Sequence, residues 1–374
     1  MDNNSPIKLP QYAKLAQIII GLVAFFYVLF IGQAIIVPLV FSTIFAILLN
    51  PVVNFLVRHK FNRVLAIMLV LLLALVLIFA LLFFLGSQAT LFSDAIPQMK
   101  QKFAALFHDI FGWITKTFNI PQTKINEFIN STKSKGLANG GSVIGQTLGT
   151  IGGVFVLIFL LPVYIFMILF YKPLLLEFIS QLFRRNNQDV VAEVLQETKS
   201  LIQNYLIGLL LEMVIVAALN ATGLLIIGLD YAILIGIIGA MLNVIPYIGG
   251  LIAIAIPMLL ALATKTPLDA LWVLLIYIAV QFIDNNFIVP KIVASKVKIN
   301  ALVSIVVVLI GGALWGVAGM FLSIPLTAII KVIFDRVEPL KPFGFLLGDD
   351  QPGDNNTTPT FKNPIRIKRK PNAL

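Results

Sequence analysis

The 374-residue chain contains no cysteine and only two histidines, and charged side chains make up just 12% of it. Without cysteine there can be no disulfide, thiolate metal site or iron–sulfur cluster, and the redox compartment stays open. His59 and His108 lie in different polar segments with no further ligands beside them, so they offer no start for a metal site. The strings G-x-x-x-x-G-K-[ST], H-E-x-x-H and G-x-S-x-G are also missing. A P-loop nucleotidase, a zincin and a hydrolase elbow are therefore not encoded. Nothing calls for a cofactor or a metal, and the chain does not read as an enzyme.

The shortage of charge is the most telling absence. A soluble domain carries about 25% charged residues; here the figure is half that, with 59% hydrophobic residues and a mean hydropathy of +0.98. A bilayer core excludes charge and rewards long apolar runs, and such runs are what the chain contains. The net charge of +10 does not indicate nucleic acid, because the Lys and Arg residues sit in loops between apolar runs and in the tail. Basic loops are attracted to the anionic cytoplasmic leaflet.

A membrane-spanning helix needs about 20 apolar residues. Candidate spans run over 13–31, 34–56, 64–86, 148–171, 203–228 and 268–290. The first follows Lys8 and Lys14 and leads into the second with no small-x-small cleavage string, so it reads as a retained helix. Gly32 and Pro38 mark a tight hairpin between the two. Stretches 231–264 and 301–330 are too long for one span each, and both carry Gly and Pro near the middle. Segments 87–146 and 173–202 show apolar residues at helical spacing and read as amphipathic helices on the bundle or at the interface. The tail from about Gly348 is rich in Asp, Asn, Thr and Pro, then basic, and reads as disordered.

Placing both termini inside puts 20 of the 27 Lys and Arg on the cytoplasmic side, as the positive-inside bias requires. With that orientation, 231–264 begins and ends outside, while 301–330 begins and ends inside. Each must enter and return, the first around Asn243–Gly250 and the second around Gly311, Gly312, Gly316 and Gly319. The expected fold is an all-α polytopic membrane protein of about six full spans plus two re-entrant or broken helical hairpins. A spanning helix plus hairpin followed by the same unit upside down is an inverted repeat, and paired broken segments point to a transporter's midplane site. The alternative is that each long stretch is two ordinary short helices packed through Gly. The expected organisation is a three-span scaffold (1–86), an amphipathic insertion (87–147), a fourth span with a cytoplasmic amphipathic helix (148–202), a two-hairpin transport bundle (203–338) and a basic tail (339–374).

Two acidic residues, Glu212 and Asp284, fall well inside candidate spans. Charge at the bilayer centre costs about 2.5–3.5 kcal/mol on the insertion scale, so such residues are functional candidates. At a rise of about 1.5 Å per residue, Glu212 sits roughly 13 Å from the start of its helix and Asp284 roughly 9 Å from the end of its own, at comparable depth. Asn204 and Asn220 flank Glu212 at two-turn spacing, and Gln281 and Asn285 flank Asp284. Together with Asn243, Pro246, Tyr247, Gly249 and Gly250 at one tip and Gly311 and Gly312 at the other, they are the expected substrate or ion path. A buried carboxylate can couple transport to protons; it can equally hold helices or subunits together.

Three segments resemble the autoinducer-2 exporter (AI-2E) family. They are Asn243-Val-Ile-Pro246-Tyr247-Ile-Gly249-Gly250, Asp284-Asn285-Asn286-Phe-Ile-Val-Pro290-Lys291, and Gly311-Gly312-Ala-Leu-Trp-Gly316-Val-Ala-Gly319-Met-Phe-Leu-Ser-Ile-Pro325-Leu. Order and spacing match, and the layout matches over about 10–345. Where many members carry a Leu-His-Pro-like segment, this chain has Ile299-Asn300-Ala301, and Lys291 follows Pro290 in place of Arg, so no histidine chemistry carries over there. The resemblance implies a bacterial inner-membrane permease, exporting the furanone signal autoinducer-2 in some members and exchanging sodium or lithium for protons in others. The expectation is a homo-oligomeric secondary transporter of a small polar solute. Protons, or Na⁺, would couple through Glu212, and residues 203–330 would move against the first spans. A non-transporting scaffold that recruits partners through its basic tail is the reading from another class.

Overall fold

The computed structural model describes residues 10–93, 101, 159–184, 187–246, 248–293 and 299–349. Nearly all of them are helical. Helices α1 (Gln11–Ile31), α2 (Gln33–Arg58) and α3 (Arg63–Ser93) match the first three candidate spans. Gly32 alone separates α1 from α2, and a Cβ there would press on Ile36 at 2.8 Å. Pro38 lies inside α2 rather than at the turn. The start of the insertion, up to Ser93, continues α3; the rest of it, apart from residue 101, lies outside the described residues, as do His108 and the tail beyond Asp349.

A helix at Phe159–Phe170 (α4) bends by 62° into α5 (Lys172–Leu182). The bend falls where Pro173 follows Lys172, since proline is tolerated only in a helix's first turn. Helix α6 (Gln188–Ile227) is 40 residues long. Its first 15 residues, expected as part of a separate amphipathic element, continue without a break into the span, so α6 projects well beyond the membrane at one end. It stops at Gly228, whose φ of +73° forms a left-handed cap. After Tyr231 the chain reverses into α7 (Ala232–Asn243). A Cβ on Gly236 would lie 2.6 Å from the backbone nitrogen of Ala221, so α7 runs back tightly along α6.

Helix α7 has 12 residues and rises only about 18 Å, short of the roughly 30 Å hydrocarbon core. It turns at 244–246 and returns as α8 (Ile248–Thr264). The two arms meet where a Cβ on Gly249 would collide with the Leu242 carbonyl oxygen. The first arm of this hairpin is therefore too short to cross the hydrocarbon core by itself. Helix α9 (Pro267–Ile283) starts with a capping box between Thr266 and Asp269 and passes at Asp284 into a ten-residue π-helix, Asp284–Val293.

Helix α10 (Ala301–Arg336) contains the second hairpin. Trp315 and Gly316 (φ 59°, ψ −141°) are non-helical inside it, and that Gly316 conformation is nearly closed to other residues. In a straight helix Gly311 and Ser323 would be about 18 Å apart; here a Cβ on Gly311 would lie 3.1 Å from the Ser323 Cβ. The arms pack through Gly311 and Gly319, where only hydrogen fits. The Trp315 indole donates to the Leu29 carbonyl at 3.0 Å, two residues before the end of α1, so this hairpin reaches nearly the full depth of its neighbour. Asn300 caps α10 by accepting from Val303 and ties in the short C-terminal helix α11 (Lys341–Leu347) by donating to Leu346. That is its role at the position where the sequence departs from the family pattern.

The unit of span and hairpin thus occurs twice: α6 with α7–α8, then α9 and its π-helix with α10. Because α9 crosses between them, the hairpins open at opposite ends. The apolar side chains left exposed on α1 and α3 face lipid, which has no competing reason to exclude them.

Candidate functional site

The long apolar helix α6 buries one stripe against the bundle: Tyr205, Leu209, Glu212, Val216 and Asn220. Spacings of three and four residues put these on one face. Glu212 is 5% exposed and Asn220 2%. Asn204, expected on the same polar stripe, is exposed and bonds Ser200 instead. Opposite α6 stand α9 and the π-helix that follows it, whose far end is pressed so close that a Cβ on Gly208 would lie 2.7 Å from the Ile292 carbonyl oxygen. Asp284 is the junction residue and is 1% exposed. Glu212 and Asp284 are near enough for their charges to repel, and no Lys or Arg among the described residues pairs with either.

The first hairpin's tip completes the cluster. Asn243, the last residue of α7, donates from Nδ2 to Asp284 Oδ2 at 2.8 Å. A point beside Gly250 lies 3.3 Å from Gln281 Oε1 and 3.5 Å from Asn243 Oδ1. The glycine at the start of α8 therefore lets two amides approach the backbone. Pro246 is in the turn; Tyr247 lies outside the described residues. Asn285 is exposed and 3.5 Å from Gln281 Nε2, so it stands at the cluster's edge. The nearest neighbours of Gly311 and Gly312 are Gly319, Ser323 and Met320: these glycines serve the second hairpin's own packing.

Among the described residues, three buried polar atoms have no hydrogen-bond partner: Asn220 Oδ1, Tyr277 Oη and Asp284 Oδ1. Tyr277 Oη and Asn220 Nδ2 lie 3.1 and 3.5 Å from one point beside Gly239, so α6, α7 and α9 bring polar groups together in a dry setting. An orphaned buried polar atom costs about 1–3 kcal/mol, and several in one place indicate a site with a task. A π-helical segment is rare in itself and frequent at functional sites. At 5% and 1% exposure Glu212 and Asp284 are shut off from solvent in this conformation, and neither lines the two cavities described below. His59 is exposed and its Nδ1 meets the Phe55 carbonyl at 2.8 Å.

The sequence model of the AI-2E family transporter matches residues 19–338. The chain belongs to the AI-2E family. Among its relatives, the AI-2 transport protein TqsA of Escherichia coli is 25% identical over 84% of this chain and 90% of its own length. YueF, a candidate transport protein of Bacillus subtilis, is 25% identical over 79% of this chain and 82% of its own. A candidate transport protein of Haemophilus influenzae is 27% identical over 85% and 91%. The chain is thus a multi-pass membrane transporter of this family.

Within this AI-2E member, sequence reasoning missed Tyr205 and Tyr277. Both are buried, and each stands seven residues before a carboxylate, Tyr205 before Glu212 and Tyr277 before Asp284. That spacing is two helical turns, so the signal was present. Tyr205 lies close enough to Glu212 to sense its charge.

Proposed function

We propose that the chain is a proton-coupled secondary transporter that exports a small polar organic solute of the autoinducer-2 kind, with Glu212 and Asp284 as the coupling carboxylates. The observation that carries the reading is the pair itself: two nearly inaccessible acids on packed helices, without a basic partner among the described residues. Leaving both ionised in a low-dielectric interior is costly, and a proton or cation removes the cost. Asn243, which bonds Asp284, and Gln281 supply hydrogen-bonding groups at the hairpin tip for a polar solute. TqsA, named for AI-2 transport, supports the solute class.

Because the cluster is closed, transport requires movement. The bundle of residues 203–330 shifting against α1–α2 would supply it, with the contacts Trp315–Leu29 and Phe41–Phe321 as the sliding surface. Both termini face the cytoplasm of a bacterial inner membrane, the assembly is a homo-oligomer, and no nucleic acid takes part.

The test is efflux of autoinducer-2 from proteoliposomes with and without a proton gradient. Wild type should respond to the gradient, and Glu212→Gln should fall to the level of empty vesicles while remaining monodisperse. Equal efflux from wild-type and empty vesicles would remove this solute from the reading.

A Na⁺(Li⁺)/H⁺ antiporter is the second reading, favoured by one observation: Asn220 Oδ1, Tyr277 Oη and Asp284 Oδ1 are acceptors without donors, as cation ligands would be. Sodium-driven pH change in the same vesicles is its signature. A non-transporting scaffold would leave every flux unchanged by Glu212→Gln.

A further inference from the structure

A second polar centre lies away from the carboxylates, at the basic end of the bundle. A cavity of about 920 Å³ opens between α2, the α4–α5 bend and the part of α6 that projects beyond the span. A smaller one of about 240 Å³ adjoins it, and Asn50, Leu169, Lys172 and Leu176 line both. Three cations stand here: Lys172 and Lys199 on the larger cavity, Lys172 and Arg63 on the smaller. Lys199 and Arg63 are each close enough to Lys172 to repel it. No Asp or Glu lines either cavity, and none among the described residues forms an ion pair with these three. Their hydrogen bonds go to neutral oxygens: Lys172 Nζ to Asn50 Oδ1 at 3.0 Å, and Arg63 to the Leu169 carbonyl at 2.6 Å. Asn50 is 5% exposed, so this lysine is anchored from the protein side.

Uncompensated like charges beside a cavity are unfavourable until an anion arrives. The remaining walls say which anion. Ile47, Ile168, Leu175, Val191 and Leu195 make most of the larger cavity apolar, which suits hydrocarbon and offers nothing to a free, fully hydrated ion. The volume is at the upper end of the roughly 300–1,000 Å³ range of ligand pockets. Basic pockets between membrane helices on the cytoplasmic side hold anionic lipid headgroups.

We propose that this cavity binds an anionic phospholipid, its phosphate between Lys172, Lys199 and Arg63 and an acyl chain along the apolar wall. The bound lipid ties α5 and the projecting end of α6 to α2, as the hydrogen bond from Gln203 to the Ile47 carbonyl (2.7 Å) does from within the protein.

The test is native mass spectrometry of the full-length protein titrated with phosphatidylglycerol, and with phosphatidylcholine as the neutral control. Wild type should bind the anionic lipid at least tenfold more tightly. Each lysine near a charged lipid surface is worth about fivefold in binding, so Lys172→Gln with Lys199→Gln should weaken phosphatidylglycerol by roughly 25-fold and leave phosphatidylcholine unchanged. The double arginine replacement should keep the preference, which separates lost charge from lost fold. Equal binding of the two lipids by wild type, or an unaltered preference in the double glutamine variant, overturns the proposal. So does displacement of the lipid by millimolar inorganic phosphate, which would make this a site for the free anion.

Discussion

The bond between Asn243 and Asp284 joins the first hairpin's tip to the start of the π-helix, and its strength can be worked out from what surrounds it. Asn243 Nδ2 donates to Asp284 Oδ2 at 2.8 Å; the other carboxyl oxygen has no partner. In water-soluble proteins a hydrogen bond to a charged group contributes about 1.5–3 kcal/mol. Interhelical bonds in membranes average only about 0.6 kcal/mol and reach about 1.7, because the loosened state finds other partners. Asp284 is 1% exposed, and loosening the tip would leave it with no nearby donor in place. The coupling should therefore lie near the upper limit, at about 1–1.7 kcal/mol. A double-mutant cycle of Asn243→Leu and Asp284→Leu, read by reversible unfolding in mixed micelles, measures it directly. Additivity within about 0.3 kcal/mol, the ordinary behaviour of independent sites, would refute the claim that this bond fastens the hairpin.

Gly316→Ala, at φ 59° and ψ −141° in open space, should cost about 1–3 kcal/mol of backbone strain. The control Gly21→Ala, also with nothing within 4 Å but inside a regular helix, should stay within about 0.5 kcal/mol; equal melting shifts would contradict the turn. The cysteine-free chain makes single-cysteine labelling clean. Lys60→Cys should react only from the cytoplasmic side and Lys265→Cys only from the opposite one, and labelling of both from one side would break the topology. A flexible cross-link between cysteines replacing Phe41 and Phe321, whose rings are 5.6 Å apart, should stop transport. Undiminished transport would rule out movement of the bundle across that surface.

Spans were legible because charge exclusion is a strong, local signal: Arg58, Arg63 and Lys265 bracket helices within a few residues of where they end. The hairpins were legible from topology and charge together, since 231–264 had to return to the side it left. What a one-dimensional reading could not supply was which polar residues face which. Asn204 and Asn220 are spaced alike about Glu212, yet only Asn220 has a neighbouring helix to bury it. Asn285 follows Asp284 directly and is exposed, because neighbours along a helix point about 100° apart. Nor does hydropathy mark where an apolar helix continues into a polar one, so the join within α6 at residue 203 passed for a boundary.

The geometry also bears on proton against sodium. A dehydrated cation needs several oxygens pointing inward, from side chains or unwound backbone. Three acceptors are free here, but the group aimed at Asp284 is an N–H of Asn243, and the amide nitrogen of Asn220 approaches the same point beside Gly239 as the Tyr277 hydroxyl. A cation could meet Asp284 through the free Oδ1, because Asn243 holds only Oδ2, but it would need further inward-facing oxygens there. A proton needs no set of ligands: it can occupy Glu212 while Asp284 keeps its bond to the hairpin tip. A proton thus asks less of the cluster than sodium does, since it needs one carboxylate oxygen where a dehydrated cation needs several converging ones.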